Sequence, residues 1–544
     1  MKAFGKETRE VVSEMKSFVS EKKEALRTSN TSVGAGLVPA RFPQSRAVRF
    51  VRRNGQGQAL PLQNLLTAQV FLSSARWAAS LCLAFVLLAA SLCQPASAQT
   101  ATGRETLPAG KPSASASRED VAASREVAES QRLVSEFDVN GLKVLVKRRE
   151  GSQTVVAGLF LRGGSRNVTS ENAGVEALML DVATEASANF PRERFRRELS
   201  SMGTNVSYGI NYDYSALTMG STRRYFDRSW EIFTDAALRP SFTPEDFQRV
   251  KNRIIAGLSN DEDTPDSYLQ VLQSRVAYVG HPYLNDPRGS VASVSRLTLD
   301  DVKRFHQQAM QTSRLLLVVV GDIDPQQIRQ KVEASFGKLP RGDYHESQVP
   351  QLSFRAPTVA VTPREIPTNY VQGIFAAPPL TSPDIYPMRI ASAILQNRVY
   401  IEVRIRRNLS YAPDAFLWNQ GANLGGIYVT SVDANQSVRV MLGEITRLQR
   451  EPVSADEVKA TAQQFLTRYY LGQETNAAQA GELAQFELIG GGWRNSALFI
   501  ERLRTVSPED VQRVANTYMK NIQFVVIGDP RSINREVFTR QAGE

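Results

Sequence analysis

This sequence contains very little cysteine and histidine, the side chains that most often bind transition metals in proteins. Its 544 residues include two cysteines, Cys82 and Cys93, and three histidines, His281, His306 and His345. Both cysteines fall in a leader segment, so the rest of the chain has no disulfide, thiolate metal site or cysteine nucleophile. The histidines are at least 25 residues apart, which excludes a metal-binding pair on successive turns of one helix.

The net charge of +10 is concentrated at the beginning of the chain. Residues 1–98 contain 13 Lys/Arg and 5 Asp/Glu, which leaves 52 basic and 50 acidic residues in 99–544. The second part is therefore nearly neutral. Its charge does not indicate a nucleic-acid-binding surface.

An export signal is predicted within residues 1–98. Arg76 precedes an apolar core at residues 77–92, and Ala96-Ser97-Ala98 supplies the small residues of a cleavage site. The core has 16 residues, fewer than the roughly 20 that span a bilayer, but if uncleaved it would anchor the protein in the membrane. Export without disulfides favours the bacterial periplasm.

The chain beyond the leader divides into a tether and two similar halves. Residues 99–132 are rich in Ala, Ser, Thr and Arg without apolar periodicity, which predicts a flexible tether. The pattern of residues 299–322 (helix start, buried strand, Gly-Asp turn) recurs at 508–529, an offset of 209. The helix start at 242–247 recurs at 453–458, an offset of 211. Two matches in the same order indicate a duplicated domain.

We therefore predict an α+β fold of two homologous α/β sandwich domains related by duplication. Each domain would have a mainly antiparallel sheet with helices on one face. The first domain covers residues 133–338 and the second covers 353–544. A polar linker at 339–352, bracketed by Pro340 and Pro350, separates them.

Several short segments, in this order, resemble the insulinase and mitochondrial processing peptidase (pitrilysin-type) family over about residues 137–540. The resemblance implies two α+β halves and a catalytic chamber between homologous halves. The segments are Asn140-Gly141, Gly163-Gly164-Ser165-Arg166, residues 195–203, Gly280-His281-Pro282-Tyr283, Gly321-Asp322, and an element with Arg404 and Tyr411.

The family's zinc motif, His-x-x-Glu-His, is degenerate in this chain. The resemblance places it at residues 177–181, with Ala177 at the first His, Leu180 at the catalytic Glu and Asp181 at the second His. The distal zinc-binding Glu is expected at 256–258, which reads Ala-Gly-Leu. The resemblance thus implies that this chain binds no metal and that zinc belongs to a partner subunit.

The acidic residues near the degenerate motif allow a second interpretation. Glu176, Asp181 and Glu185 could hold a hard cation, but such cages need more oxygen ligands than this cluster offers. A solvated helix edge is the favoured interpretation.

Arg404 and Tyr411 match, at a spacing of seven, the Arg and Tyr with which the family contacts the scissile carbonyl region of its substrate. A guanidinium and a phenol can donate hydrogen bonds to an oxygen on which negative charge develops. We predict a basic helix over 400–407, ended by Asn408 in the left-handed conformation. In the competing interpretation, Arg404 pairs with a helix carboxylate such as Glu402, and Tyr411 is an ordinary half-buried aromatic.

The remaining conspicuous residues favour structural roles. His281 is expected to make structural hydrogen bonds, and His306 and His345 are expected to face solvent. Residues 490–493, Gly-Gly-Gly-Trp, lack the Lys of a phosphate loop and are expected to form a mobile chamber-side loop. No histidine accompanies a serine-nucleophile elbow, so a Ser-His-Asp mechanism is not supported.

The leading hypothesis is a non-catalytic subunit of a two-chain zinc metallopeptidase. It would supply Arg404 and Tyr411 to the zinc site of a homologous partner during the processing or degradation of extended peptides. Two alternatives remain open. The chain could form a homodimer that binds exported peptides without cutting them, or it could be a structural core subunit of an envelope complex.

Overall fold

The computed structural model describes residues 127–540. The predicted export signal and all of the predicted tether except 127–132 lie outside this range. Residues 127–132, the part of the predicted tether inside this range, are helical. The reason is local, since Ala, Glu, Gln and Arg all favour helix. Within residues 127–540, no helix combines the length and apolar character needed to cross a bilayer.

The first half contains a six-stranded sheet in the order β1-β2-β6-β3-β5-β4, in which only β2 and β6 are parallel neighbours. Its strands are β1 (Val134–Val139), β2 (Leu142–Arg148), β3 (Thr154–Arg162), β4 (Asn205–Ile210), β5 (Tyr214–Thr222) and β6 (Leu315–Gly321). Its helices are α1 (Val175–Ala183), α2 (Arg192–Met202), α3 (Phe226–Leu238), α4 (Pro244–Ser259), α5 (Pro265–Ala277), α6 (Val291–Arg296), α7 (Leu299–Ala309) and α8 (Pro325–Ala334).

The second half contains a five-stranded sheet in the order β7-β11-β8-β10-β9, in which only β7 and β11 are parallel. Its strands are β7 (Thr358–Pro363), β8 (Asn369–Ala376), β9 (Asp414–Leu417), β10 (Leu424–Ser431) and β11 (Gln523–Gly528). Its helices are α9 (Ile385–Val399), continued by a π-helix (Tyr400–Arg406), α10 (Ala434–Arg450), α11 (Ala455–Gly472), α12 (Asn476–Ile489), α13 (Arg494–Arg504), α14 (Pro508–Tyr518) and α15 (Arg535–Thr539).

The two sheets repeat one topology. The second sheet has the strand order and pairing directions of the first without its outermost strand β1. The repeated helix starts are also present: the hydroxyls of Thr243 and Ser454 accept hydrogen bonds from the backbone N–H of Asp246 and Glu457, which caps α4 and α11. The predicted α+β class with mainly antiparallel sheets is confirmed.

Most helices of each half cover one face of its own sheet, and one helix of the other half covers the opposite face. Helix α12 packs Leu483 and Ala484 against Leu145 and Phe160 of the first sheet. Correspondingly, α5 of the first half packs Leu269 and its neighbours against β11 of the second sheet. Because α5 and α12 are 211 residues apart, the duplicated halves exchange equivalent helices. The predicted single helical face is therefore only part of the arrangement.

The exchanged helix α12 carries an ionisable group into the contact between the halves. Burial raises the pKa of Glu482 to about 7, although the hydroxyl of Tyr469 donates a hydrogen bond to it and Lys147 of the first half lies close by. At neutral pH this carboxyl is therefore poised between its charged and neutral forms.

Candidate functional site

Helix α1 holds the three positions at which the zinc motif is expected. Ala177, Leu180 and Asp181 are 3%, 2% and 5% exposed, and Leu180 belongs to the apolar core of the first half. Of these side chains, only Asp181 has lone pairs to offer a metal. The donor set at residues 177–181 therefore does not fit a zinc ion.

Asp181 is joined to helix α4 by an ion pair. Arg253 Nη2 donates to Asp181 Oδ1 at 2.6 Å. Burial raises the pKa of Asp181 above its ordinary value, against the opposing attraction of Arg253. The carboxylate at the position expected for the second histidine is thus already bound to a cation of this chain.

Glu185, two residues beyond the end of α1, lies among several guanidinium groups. Arg196 of α2 lies 2.8 Å from its carboxylate, and Arg249 and Arg253 of α4 lie 3.0 and 3.2 Å from it. Burial alone would raise the pKa of Glu185, but these cations outweigh it and lower the pKa. These ion pairs connect α1 to both α2 and α4. In the part of the chain that the structure describes, no group of three or more His, Cys, Asp or Glu side chains is arranged to hold a metal ion.

The third acid, Glu176, forms a separate ion pair with Arg314. Arg314 Nη2 donates to Glu176 Oε2 at 2.6 Å, and the Ser215 hydroxyl donates to Oε1. The guanidinium lies 5.2 Å and 5.4 Å from the ring centroids of Phe305 and Tyr344. Burial raises the pKa of Glu176 above its ordinary value. Both partners of this pair are buried.

The prediction of a solvated edge at these acids is wrong. Glu176, Asp181 and Glu185 are each 5% exposed, because arginines distant in sequence neutralise them. The distal metal ligand was expected at residues 256–258, but the α4 side chain that reaches Asp181 is Arg253, one turn earlier. A sequence signal for this contact exists. Asp181 and Glu185 are four residues apart, as are Arg249 and Arg253 of α4, so the spacing of the two acids matches that of the two arginines.

The Arg404–Tyr411 element follows helix α9 in the second half. The predicted basic helix is present, but its backbone is a π-helix over Tyr400–Arg406. Arg404 Cζ lies 3.9 Å from the centroid of the Tyr411 ring, which is a cation–π stack. Tyr411 is 79% exposed. The structure therefore brings the two predicted residues together at the surface.

The end of the π-helix sets the direction of the chain toward Tyr411. Asn408 has φ 50°, so the predicted left-handed residue is confirmed. Its N–H donates to the carbonyl of Arg404 at 3.2 Å, and the N–H of Leu409 donates to that of Val403 at 2.9 Å. These bonds close the helix and turn the chain back, which places Tyr411 over Arg404.

The competing interpretation of this element is wrong in both parts. Glu402 pairs with Arg406 at 2.6 Å and also contacts Arg407, but it does not pair with Arg404. Tyr411 is exposed rather than half-buried. Among the salt bridges of residues 127–540, none includes Arg404.

His281 has the structural role that was predicted. The backbone N–H of Tyr283 donates to His281 Nδ1 at 3.1 Å, so the ring proton is on Nε2, which donates to the carbonyl of Pro350 at 2.9 Å. Burial lowers the pKa of His281, which favours this neutral tautomer. The histidine thus fastens the linker to the first half.

The prediction for the other two histidines is half right. His345 is exposed, as predicted. His306 is not, since its Nε2 lies 2.8 Å from the carbonyl of Ala237 and its ring packs edge-to-face on Phe242 at 5.3 Å. The partner of the His306 ring is the carbonyl of Ala237 near the C-terminal end of α3. The sequence pattern of α7, which contains His306, does not indicate this contact.

The glycine-rich loop at residues 490–493 lies against the first half. Gly491 and Gly492 have φ of 77° and 118°, conformations that favour glycine. Trp493 is 3% exposed, and its Nε1 donates to Glu136 Oε2 of β1 at 2.9 Å. The loop therefore belongs to the contact between the halves.

Comparisons with known proteins agree with this architecture. The profile of insulinase (peptidase family M16) matches residues 143–284, and that of the peptidase M16 inactive domain matches residues 296–465. The mitochondrial-processing peptidase subunit beta of Blastocladiella emersonii is 21% identical over 411 residues, which cover 72% of this chain and 87% of that protein.

Two further similarities are to a subunit of a larger complex and to a solved structure. Cytochrome b-c1 complex subunit 1 of Bos taurus is 23% identical over 266 residues, 48% of this chain and 55% of that protein. The crystal structure of a peptidase M16 inactive domain from Pseudomonas fluorescens is similar with a TM-score of 0.67 at 17% identity, covering 73% of this chain and 98% of that chain. At this identity the structural match shows the fold alone.

Proposed function

Because this chain belongs to the insulinase family of peptidases, M16, we propose that it is the non-catalytic subunit of a two-chain zinc metallopeptidase. Its partner is a homologous subunit that bears His-x-x-Glu-His and holds the zinc, while this chain binds no cofactor. The proposal rests on one contrast: the acid at the expected second-histidine position is ion-paired, whereas Arg404 has no carboxylate partner among the described residues and stacks on the exposed ring of Tyr411.

The metal side of the proposal is supported by the charges around α1. Asp181 and Glu185 already have guanidinium partners, so a dication at this place would have to compete with Arg253. Ala177 and Leu180 offer carbon atoms alone at the other two positions. This chain would therefore contribute no metal-activated water to peptide hydrolysis.

The substrate side is supported by the geometry of the stack. Stacking on Tyr411 uses the face of the Arg404 guanidinium and leaves its in-plane N–H donors available. The Tyr411 hydroxyl is a further donor on an exposed ring. Two such donors can stabilise the oxygen that becomes negative when water attacks an amide. The substrate class is an extended peptide.

The protein is exported in this proposal. The apolar core at 77–92 and the small residues that follow it lie outside the described residues but support export, and the lack of cysteine beyond the leader supports a bacterial periplasm. Retention of 77–92 would tether the same complex to the membrane.

The test is reconstitution with a zinc-bearing homologue and measurement of peptide cleavage. Arg404→Ala should lower the kcat/KM of the mixture by about 100-fold or more, as expected for loss of one oxyanion donor. Arg439→Ala, which removes an exposed arginine of α10, is the matched control and should leave it unchanged. Full activity with Arg404→Ala would contradict the assigned role.

A second experiment tests the absence of catalysis in this chain. The purified chain should contain no stoichiometric zinc by elemental analysis and should not cleave peptides without its partner. Chelator-sensitive cleavage by the purified chain on its own would overturn the proposal.

The alternative function is a peptide-binding or structural core subunit without peptidase activity. The similarity to a subunit of the cytochrome b-c1 complex favours this second candidate. Native mass of the processed chain distinguishes the cases. A monomer that associates only with a zinc-bearing homologue supports the first function, whereas a homodimer or a large assembly supports the second.

A further inference from the structure

The element that carries Arg404 also contains the charged residues Glu402, Arg406 and Arg407. The carboxylate is buried, whereas the two guanidiniums are exposed. Glu402 is 8% exposed, while the side chains of Arg406 and Arg407 are 66% and 41% exposed. Arg406 Nη1 donates to Glu402 Oε1 at 2.6 Å, and Arg407 Nη1 donates to Glu402 Oε2 and, at 3.1 Å, to the Glu402 carbonyl. One carboxylate therefore neutralises part of the charge of two guanidiniums.

The π-helix explains how one residue reaches both arginines. In this geometry backbone hydrogen bonds run between residues five apart, so the residues four and five positions after Glu402 lie on its side of the helix. Those residues are Arg406 and Arg407. Arg404 is two positions away and points elsewhere, since residues two apart do not face each other on a helix. It is free to stack on Tyr411.

We propose that Glu402 is a positioning and specificity-determining residue for Arg404. By holding Arg406 and Arg407, it leaves Arg404 as the only unpaired guanidinium of the element and fixes the helix end from which Tyr411 returns. This inference rests on the proposed function, because it concerns the same substrate-side surface.

The charge of Glu402 also affects substrate choice. With Glu402 ionised, the three arginines and one carboxylate carry a net charge of two positive units, and without it they carry three. Hydrogen bonds from Arg407 lower the pKa of Glu402, so it is ionised at neutral pH. Glu402→Gln should thus favour peptides with an acidic residue near the scissile bond. Removal of the two guanidiniums in Arg406→Gln/Arg407→Gln should disfavour the same peptides.

The experiment uses the reconstituted mixture and two peptides that differ by Glu against Gln beside the scissile bond. Glu402→Gln is expected to lower kcat/KM for the neutral peptide by about 10-fold, because the Arg404 donor is displaced. The ratio of acidic to neutral kcat/KM should rise with Glu402→Gln and fall with Arg406→Gln/Arg407→Gln. A purely structural role would not produce opposite signs.

The controls distinguish this inference from the proposed function. Glu457→Gln removes a carboxylate that binds Arg398 elsewhere in the second half and should leave both peptides unaffected. Combined with Arg404→Ala, Glu402→Gln should cause no further loss of cleavage of the neutral peptide, since that loss acts through Arg404.

Each outcome decides one of the two claims. If Arg404→Ala abolishes cleavage while folded Glu402→Gln keeps wild-type rates and selectivity, the inference is wrong and the proposed function stands. If Arg404→Ala is fully active, both are wrong. If Glu402→Gln does not fold, the selectivity of Arg406→Gln/Arg407→Gln decides, and an unchanged ratio overturns the inference.

Discussion

Arg253→Ala tests whether ion pairs hold helix α1 to helix α4. The substitution removes the guanidinium that lies 2.6 Å from Asp181 and 3.2 Å from Glu185. Glu185 keeps Arg196 and Arg249, but Asp181 loses its arginine partner. The main effect is therefore a buried carboxylate left without a cation.

The expected cost follows from the burial of the two partners. Removing one member of a fully buried pair costs about 3–5 kcal/mol, because the other charge stays buried. The Asp181 side chain is 7% exposed but that of Arg253 is 44% exposed, so water already screens part of the interaction. We therefore expect a loss of about 2 kcal/mol in the free energy of unfolding at pH 7.5.

The loss should depend on pH with a definite sign. Burial already raises the pKa of Asp181, and without Arg253 it should rise further. A carboxyl whose pKa is higher in the folded than in the unfolded state lowers the free energy of unfolding when the pH is above its folded pKa. This loss of stability disappears as the pH falls toward the unfolded pKa of about 3.9. The difference between Arg253→Ala and the wild type should therefore shrink between pH 7.5 and pH 4.5.

Urea unfolding at both pH values measures the difference. Asp181→Asn/Arg253→Ala removes the stranded charge and should recover most of the loss at pH 7.5. Arg197→Ala, at an exposed position of α2, is the control and should change stability by less than about 0.5 kcal/mol. A loss independent of pH, or a double variant as unstable as Arg253→Ala, would refute the reasoning.

Three further substitutions give independent tests by urea unfolding. The raised pKa of Glu482, about 7, means that its ionisation opposes folding above about pH 4.3, so Glu482→Gln should stabilise the protein by up to about 3 kcal/mol at pH 8 and have little effect at pH 4.5. An equal gain at both pH values would contradict this. Arg314→Ala should cost about 3–5 kcal/mol because Glu176 stays buried; a loss below about 1 kcal/mol would show that the pair is dispensable. Asn408→Val should cost about 1–2 kcal/mol at φ 50° whereas Asn408→Gly should not, and equal stability of the two would contradict the left-handed assignment.

The sequence was sufficient to predict the features that depend on local chemistry. The repeat at an offset near 210 residues predicted two similar halves, because duplicated helix starts keep their capping hydroxyls, as at Thr243 and Ser454. The left-handed conformation of Asn408 was also predictable from local chemistry. A helix that ends on a non-glycine left-handed residue favours asparagine, whose short polar side chain tolerates that conformation.

The exchange of α5 and α12 could not be predicted in this way. An apolar stripe shows that a helix is covered, but it does not show which sheet covers it. Leu269 and Leu483 would have the same pattern if each packed on its own half. The buried acids of α1 were missed for a related reason, since Arg253 is 72 residues from Asp181 and only the fold brings them together.

The exposure of the Arg404–Tyr411 stack bears on which function the chain performs. As packing residues within this chain they would contribute little, since an exposed cation–π contact is worth about 0.5–1 kcal/mol and Tyr411 is 79% exposed. The buried core of the second half does not need them. In the proposed function, their contribution comes from another molecule, either a peptide or a second chain that covers them. In the structural-subunit alternative, Arg404→Ala would weaken assembly without any effect specific to substrate. In the peptidase-partner function, assembly would persist and only cleavage would be lost, so the mass and the activity of the same mixture separate the two functions.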